Sequence, residues 1–152
     1  MKVLVLCHGN VNRSPLCAAV LAQHSGITVK QAGVNLKLRP GVAAKKMREA
    51  AAKYDIDLSD HRSQAITPEL YSWADIIIDM DGGNRKRLLQ FKQDNMLAKK
   101  KMVNLGEWAN PKTTRIQDPA FLKKGDPKMD EIVRQIIDAT MNFGIAYDNV
   151  PY

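Results

Sequence analysis

Short apolar runs that alternate with stretches of helical periodicity constrain this chain more than any other feature. Residues 2–6, KVLVL, are apolar after the first and rich in Val and Leu, the pattern of a central strand covered on both faces. A polar turn over 8–13 follows. Leu16, Cys17, Val20, Leu21 and His24 then recur at helical spacing and predict a helix over 15–24, with Ser14 as N-cap and Pro15 at the first helical position. The alternation repeats. A second strand is expected over 28–32, ended by Gly33, and an Ala-rich helix opens at Pro40-Gly41 and runs to about Tyr54. Thr67 caps a short helix, 74–80 (ADIIIDM) reads as a strong strand, 84–93 as a helix that Asn84 caps, and 101–105 as a last strand. Asp126-Pro127 caps a long amphipathic helix whose Met129, Ile132, Val133, Ile136, Ile137, Thr140 and Met141 share one face.

Four strands alternating with helices, without a hairpin signal, predict the α/β class: one parallel sheet, helices on both faces, three layers, one domain over 1–152. Ligands of such sheets lie beyond the carboxyl ends of the strands. The turn after the first strand is therefore the first place to seek a site.

The totals exclude several classes. Hydrophobic content of 45% and charged content of 26% are those of a soluble globular protein, and no apolar run approaches membrane-spanning length. Two cysteines make no disulfide framework, so a reducing cytoplasm is the expected compartment. The net charge of +7 is uneven: 85–101 holds seven basic residues against one acidic, Asp94. That excess favours phosphorylated or acidic partners, but no aromatic residues interleave with it, so nucleic acid is not expected. The three histidines show no metal-ligand spacing, and neither metal nor cofactor is expected.

The turn itself reads CHGNVNRSP. A loop that wraps the start of a helix turns several backbone N–H groups inward and adds the positive end of the helix dipole, which makes a cradle for a tetrahedral dianion. Gly9 allows close backbone approach, and Asn10 tolerates left-handed dihedrals. Arg13 brings a planar fork that grips two phosphate oxygens. Cys7, at the base, feels the amides, the dipole and Arg13 together, all of which favour the thiolate. Ser14 can donate a hydrogen bond to the sulfur. His8, Gly9, Asn10, Val11, Asn12 and Ser14 are thus the candidate phosphate-binding residues. His8 can tune the cradle, touch substrate or stand by as an exposed spectator.

The string VLCHGNVNRSP resembles the signature of the low-molecular-weight protein tyrosine phosphatase family. The similarity continues in QAGV (31–34), IDLSDHRSQAIT (56–67), ADIIIDMDGGN (74–84) and LGEW…QDPAF (105–121). The resemblance implies a four-stranded parallel sheet in the flavodoxin-like order 2-1-3-4. It also implies phosphomonoester hydrolysis through a cysteinyl-phosphate without metal, with Cys7 as nucleophile, Arg13 as transition-state clamp and Asp118 as general acid. A phosphorylated protein or small phosphomonoester is the implied partner, with the chain a monomer or weak homodimer.

The acid can also be argued from the residues. One carboxyl group can protonate the leaving oxygen and later activate water. Of two Asp-Pro pairs, Asp126 is accounted for as the cap of the long helix, with Asp130 and Glu131 in its first turn. Asp118 has no such helix, because Ala120, Phe121 and Leu122 run into Lys-Lys-Gly; it stands in a loop flanked by Ile116 and Phe121.

Two departures from the family pattern matter. Asn12 stands where many members carry a second cysteine that protects the nucleophile from over-oxidation, while Cys17 lies on the apolar face of its helix and reads as core. The segment GVNLKLRPG offers Lys37 or Leu38 where members usually place an aromatic platform, and Phe121 stays as one apolar wall. Lys37 and Arg39 suit an acidic peptide or a polar phosphoester. His61-Arg62 reads as structural, and Trp73 and Trp108 as packing. Two alternatives stay open: an arsenate reductase of the same fold, for which 80–100 lacks resolving cysteines, and a phosphate-binding module without turnover.

Overall fold

β1 (Lys2–Cys7) forms the middle of the sheet because its side chains alternate between two cores. Val3, Val5 and Cys7 enter one core, while Leu4 and Leu6 enter the other. The computed structural model describes residues 1–148, so the last four positions of the expected 1–152 domain lie outside the described residues. All pairings are parallel: β1 with β2 (Thr28–Gly33), β1 with β3 (Ile76–Asp79), and β3 with β4 (Lys101–Asn104). The strand order is β2-β1-β3-β4, as expected, and the β1–β2 register sets Cys7 opposite Gly33.

Helices cover both faces. On one side α1 (Arg13–Leu21), α2 (Lys45–Ala52) and α5 (Lys128–Asp148) pack Leu16, Leu21, Met47, Ile132, Ile136 and Phe143 into the larger core. On the other, α3 (Pro68–Trp73) and α4 (Gly82–Asp94) supply Tyr71, Leu88 and Phe91. Each fully buried Leu, Ile or Phe of this kind contributes about 1.5–3 kcal/mol of transfer free energy. Trp108 packs edge-on against Phe143 and Tyr147, which makes it a packing residue. Among the described residues no helix is long and apolar enough to cross a membrane.

Several boundaries differ from the sequence reading, each for a local reason. α2 opens at Lys45, not at Pro40-Gly41. The stretch before it pairs with a neighbouring loop: Gly41 N donates to Ser63 Oγ at 2.9 Å and Ser63 N to Gly41 O at 2.8 Å. α1 begins at Arg13, and its N-cap residue is Asn12, which makes no side-chain capping bond; the Ser14 hydroxyl is committed elsewhere. α4 begins at Gly82 with Asp81 as cap, whose Oδ1 accepts from Asn84 N at 2.7 Å. Asn84 does not cap; it is buried and accepts from Met80 N at 3.1 Å. β3 is shorter than 74–80 because Ala74 closes α3.

Candidate active site

The carboxyl ends of the strands converge on the turn that follows β1. Asn10 adopts φ 56°, in the left-handed region, and is the hub of this turn. Its amide donates to Ser14 Oγ at 2.8 Å and to Gln31 Oε1 at 3.1 Å, and its Oδ1 accepts from Gln64 N at 3.0 Å. His61 Nε2 lies 2.6 Å from Asn10 O. A carbonyl only accepts, so Nε2 carries the proton. Burial, the largest influence on His61, pushes its pKa below the ordinary value, against the bond to Asn10 O, which favours the charged form. His61 is thus a neutral strut at pH 7.

Two stretches of backbone approach closely at Gly33. A Cβ on Gly33 would come within 2.7 Å of His8 O and 3.2 Å of Gly9 C, whereas one on Gly9 would meet only the Val11 side chain at 3.8 Å. The end of β2 is therefore pressed against the loop. Two further bonds fasten it there, Val34 N to Cys7 O at 2.9 Å and Asn35 N to His8 O at 3.0 Å.

Cys7 is buried, with its Sγ 3.0 Å from Ser14 Oγ. Because Asn10 already donates to that hydroxyl oxygen, the hydroxyl proton is free for the sulfur, and a thiolate can only accept it. Cys17 is a core residue, as expected: Thr140 Oγ1 donates to its sulfur at 3.3 Å, and burial pushes its thiol up to about 12.

Arg13 is 2% exposed, a charge that needs partners. Nη1 donates to Asp81 Oδ2 at 2.7 Å and to Ile116 O at 2.8 Å, and Nη2 lies 3.6 Å from Asp118 Oδ2. Nε is buried and has no hydrogen-bond partner among the described residues, as is also true of Asn12 Oδ1. One tine of the fork is fixed; the Nε–Nη2 edge is the one shaped for two oxygens of a tetrahedral anion. Burial works against the charge of Asp81, but hydrogen bonds from Arg13 and Asn84 N, with Arg13's charge, together hold its carboxyl below the ordinary range.

Asp118 caps a single 3-10 turn (Pro119–Phe121), its Oδ1 accepting from Ala120 N at 3.0 Å, so it is not the uncapped loop residue expected from sequence. The structure sets Cys7 against Ser14 and the adjacent Arg13 against Asp118. Phe121 stands 95% exposed and Lys37 is exposed, each at the rim. His8, Val34, Asn35, Leu36 and Lys37 line a groove of about 530 Å³ that α4 closes with Arg87, Gln90, Phe91 and Asp94. In that groove Asp94 is held by Gln90 Nε2 at 2.7 Å.

Sequence reasoning missed Asp81 as the anchor of Arg13, and Asp79 beneath it. Asp79 is fully buried, paired with Arg85 Nε through Oδ2, and its Oδ1 has no partner among the described residues. Burial above all raises its pKa to about 6. The only signal was the acidic pair in IIDMDGGN, a run otherwise read as strand and cap.

Comparison with known proteins agrees with this geometry. Residues 2–146 match the profile of the family described as low molecular weight phosphotyrosine protein phosphatase. The chain is 39% identical over 87 residues to the probable low molecular weight protein-tyrosine-phosphatase EpsP of Ralstonia nicotianae, a match spanning 57% of this chain and 59% of that relative, under two thirds of its length. It is 32% identical over 109 residues to the low molecular weight protein-tyrosine-phosphatase Ptp of Acinetobacter johnsonii, covering 70% and 73% of the two chains. The solved structure of Vibrio vulnificus Wzb in complex with benzylphosphonate superposes with a TM-score of 0.81 at 28% identity, covering 95% of this chain and 97% of that one. This chain belongs to the low molecular weight phosphotyrosine protein phosphatase family.

Proposed function

We propose that the protein hydrolyses phosphomonoesters, with phosphotyrosine on proteins as the leading substrate class, through a phosphorylated Cys7. The observation that carries this reading is the state of Arg13: Nη1 is anchored twice, while Nε is buried with no acceptor among the described residues, and the neighbouring Ser14 holds the Cys7 sulfur at 3.0 Å. That arrangement supports a bidentate grip on a phosphoryl group above a nucleophile.

In the first step the Cys7 thiolate attacks phosphorus as the ester P–O bond breaks, and Asp118 gives its proton to the departing oxygen. The developing charge on the equatorial oxygens is met by the loop amides of His8, Gly9, Asn10, Val11 and Asn12, by the start of α1 and by the Nε–Nη2 edge of Arg13. In the second step water attacks the phosphocysteine, passes a proton to the Asp118 carboxylate, and the S–P bond breaks to release phosphate and regenerate the thiolate stabilised by Ser14. No step calls on a cofactor.

Phe121 offers an apolar wall, and Lys37 and Arg87 stand in the groove beside His8 with no hydrogen bond or ion pair from their side chains among the described residues, whereas Asp94 is already engaged. This balance of charge favours substrates whose flanking residues are acidic.

Hydrolysis of a generic aryl phosphate tests the reading. Turnover should be inhibited by vanadate, be optimal at mildly acidic pH, disappear in Cys7→Ser and fall strongly in Asp118→Ala, by about 10²–10⁴-fold. Wild-type protein that binds phosphate but never turns over an ester overturns it in favour of a binding module.

A further inference from the structure

The 117–126 segment that carries Asp118 has few ties to the rest of the molecule. Upstream, Ile116 is fixed through Met80 O and Arg13 Nη1. Beyond it, Leu122 N–Pro119 O and Asp126 N–Lys123 O are bonds within the segment itself. Its far end is held by the start of α5, where Lys128 N and Met129 N donate to Asp126; nearer Asp118, among the described residues, hydrogen bonds reach it from outside only from Lys46, whose Nζ donates to Ala120 O at 2.7 Å and to Leu122 O at 3.3 Å. One carbonyl lies within the turn that Asp118 caps, and the other belongs to the residue that closes it.

Lys46 is the second residue of α2, and the start of α2 is itself fastened to the phosphate loop, Ala44 N donating to Val11 O at 2.8 Å. A continuous path therefore runs from the loop above Cys7, through the first turn of α2, to the segment bearing Asp118. The position is an odd one for a lysine on helix grounds. α2 has no side-chain cap and no acidic residue in its first turn, but lysines at its first two positions, where the helix dipole disfavours a cation. Lys45 points into solvent and pairs with Glu49, while Lys46 turns toward the carbonyls. Charge-assisted bonds to two carbonyls offset that unfavourable placement.

We propose that Lys46 is a positioning residue for the general acid: it sets the height of the Asp118 carboxyl over the cradle, so that protonation of the leaving group depends on a side chain that touches neither substrate nor phosphate. The inference rests on the reading of Asp118 as the acid. Its signature follows from the chemistry. A poor leaving group needs the proton fully, a good one hardly needs it, so loosening the acid steepens the dependence of the bond-breaking step on leaving-group basicity.

The test measures kcat/KM, which reports expulsion of the leaving group, for a series of aryl phosphates spanning activated to unactivated phenols. Lys46→Met keeps the aliphatic stem and removes the donors. It should lose about tenfold for the most basic phenols and under about threefold for the most acidic, since small displacements of a catalytic group cost up to about 10²-fold. Lys46→Arg should restore the wild-type slope. In an Asp118→Asn background, Lys46→Met should add no further slope. A uniform loss across the series, an unchanged slope, or full additivity with Asp118→Asn overturns the proposal, and melting curves of Lys46→Arg and Lys46→Met identify a mere folding defect, which would appear as a uniform loss. Absence of turnover in the wild type would instead sink the phosphatase reading and is seen before any variant is made.

Discussion

The guanidinium of Arg13 donates to the carboxylate of Asp81 at 2.7 Å across 68 positions of sequence, and that bond, with the one to Ile116 O, fixes one tine of the fork. Removing it leaves a buried cation short of an acceptor and frees the fork to rotate. Asp81→Asn should therefore lower kcat/KM for aryl phosphates by about 10–100-fold, consistent with lost orientation. Vanadate affinity should weaken in parallel; an unchanged inhibition constant would show that Asp81 does not orient Arg13.

Asp79 gives a pH-dependent stability. Its folded pKa of about 6 lies above the ordinary aspartate value of 3.8, chiefly through burial, so the native state holds a proton that the unfolded chain releases. Stability is therefore fullest below the lower value and declines as pH rises through about 6. Asp79→Asn abolishes that decline. Relative to wild type it should gain on the order of 2 kcal/mol between pH 4 and pH 7.5, read from denaturant unfolding at each pH. Parallel pH profiles for the two proteins would refute this.

Gly33 admits no side chain. A methyl group there would press on His8 O, a backbone atom that cannot turn aside. Gly33→Ala should cost about 2–4 kcal/mol of stability, as overpacking against a fixed element does, and should also depress activity by shifting the loop. Gly9→Ala, which meets no close atom of the chain, should leave the melting temperature nearly unchanged.

Oxidation provides a fourth check. The thiol of Cys17 is locked in the core, and Asn12 occupies the loop, so Cys7 has no partner thiol to trap a sulfenic acid. Peroxide-treated wild type should accumulate sulfinic Cys7 by mass spectrometry. Asn12→Cys should raise the fraction of activity that a thiol reductant restores. Equal recovery in both proteins would argue against this role for the position.

The groove beside His8 predicts a preference among phosphopeptides. Acid-flanked sequences should exceed neutral ones in kcat/KM by about tenfold at low salt, and the ratio should approach one in Arg87→Glu. A ratio near one in the wild type removes the charge argument.

The periodicities carried the alternation of strands and helices, because burial on both faces imposes apolar runs on every interior strand. The helix starts were less legible. Ser14 looks like a cap, yet its hydroxyl serves Cys7, and Asn84 looks like a cap while Asp81 does that work. Local propensity lost to the needs of the site in both cases. Cys7, Arg13 and Asp118 stand out in the sequence because the residue types and spacing that a phosphate cradle and its acid need are dictated by chemistry. Asp81 and Lys46 could not, since an aspartate at a helix start and a lysine on a helix surface carry no distinguishing pattern until the fold brings them to Arg13 and to Ala120.

Gly33 has a consequence beyond its own tight fit. The backbone between it and α2 leaves the loop immediately after two hydrogen bonds, and the residues that follow, Leu36, Lys37 and Arg39, stand outward. The loop over Cys7 and the outward segment are thus joined at this seam, and Ser63 Oγ, donating to Arg39 O at 3.2 Å, ties the segment further along. A 36–40 segment taken from a relative with another preference should, when grafted there, change which phosphoesters are taken while the loop over Cys7 keeps its shape, provided the bond from Ser63 Oγ to Arg39 O is kept.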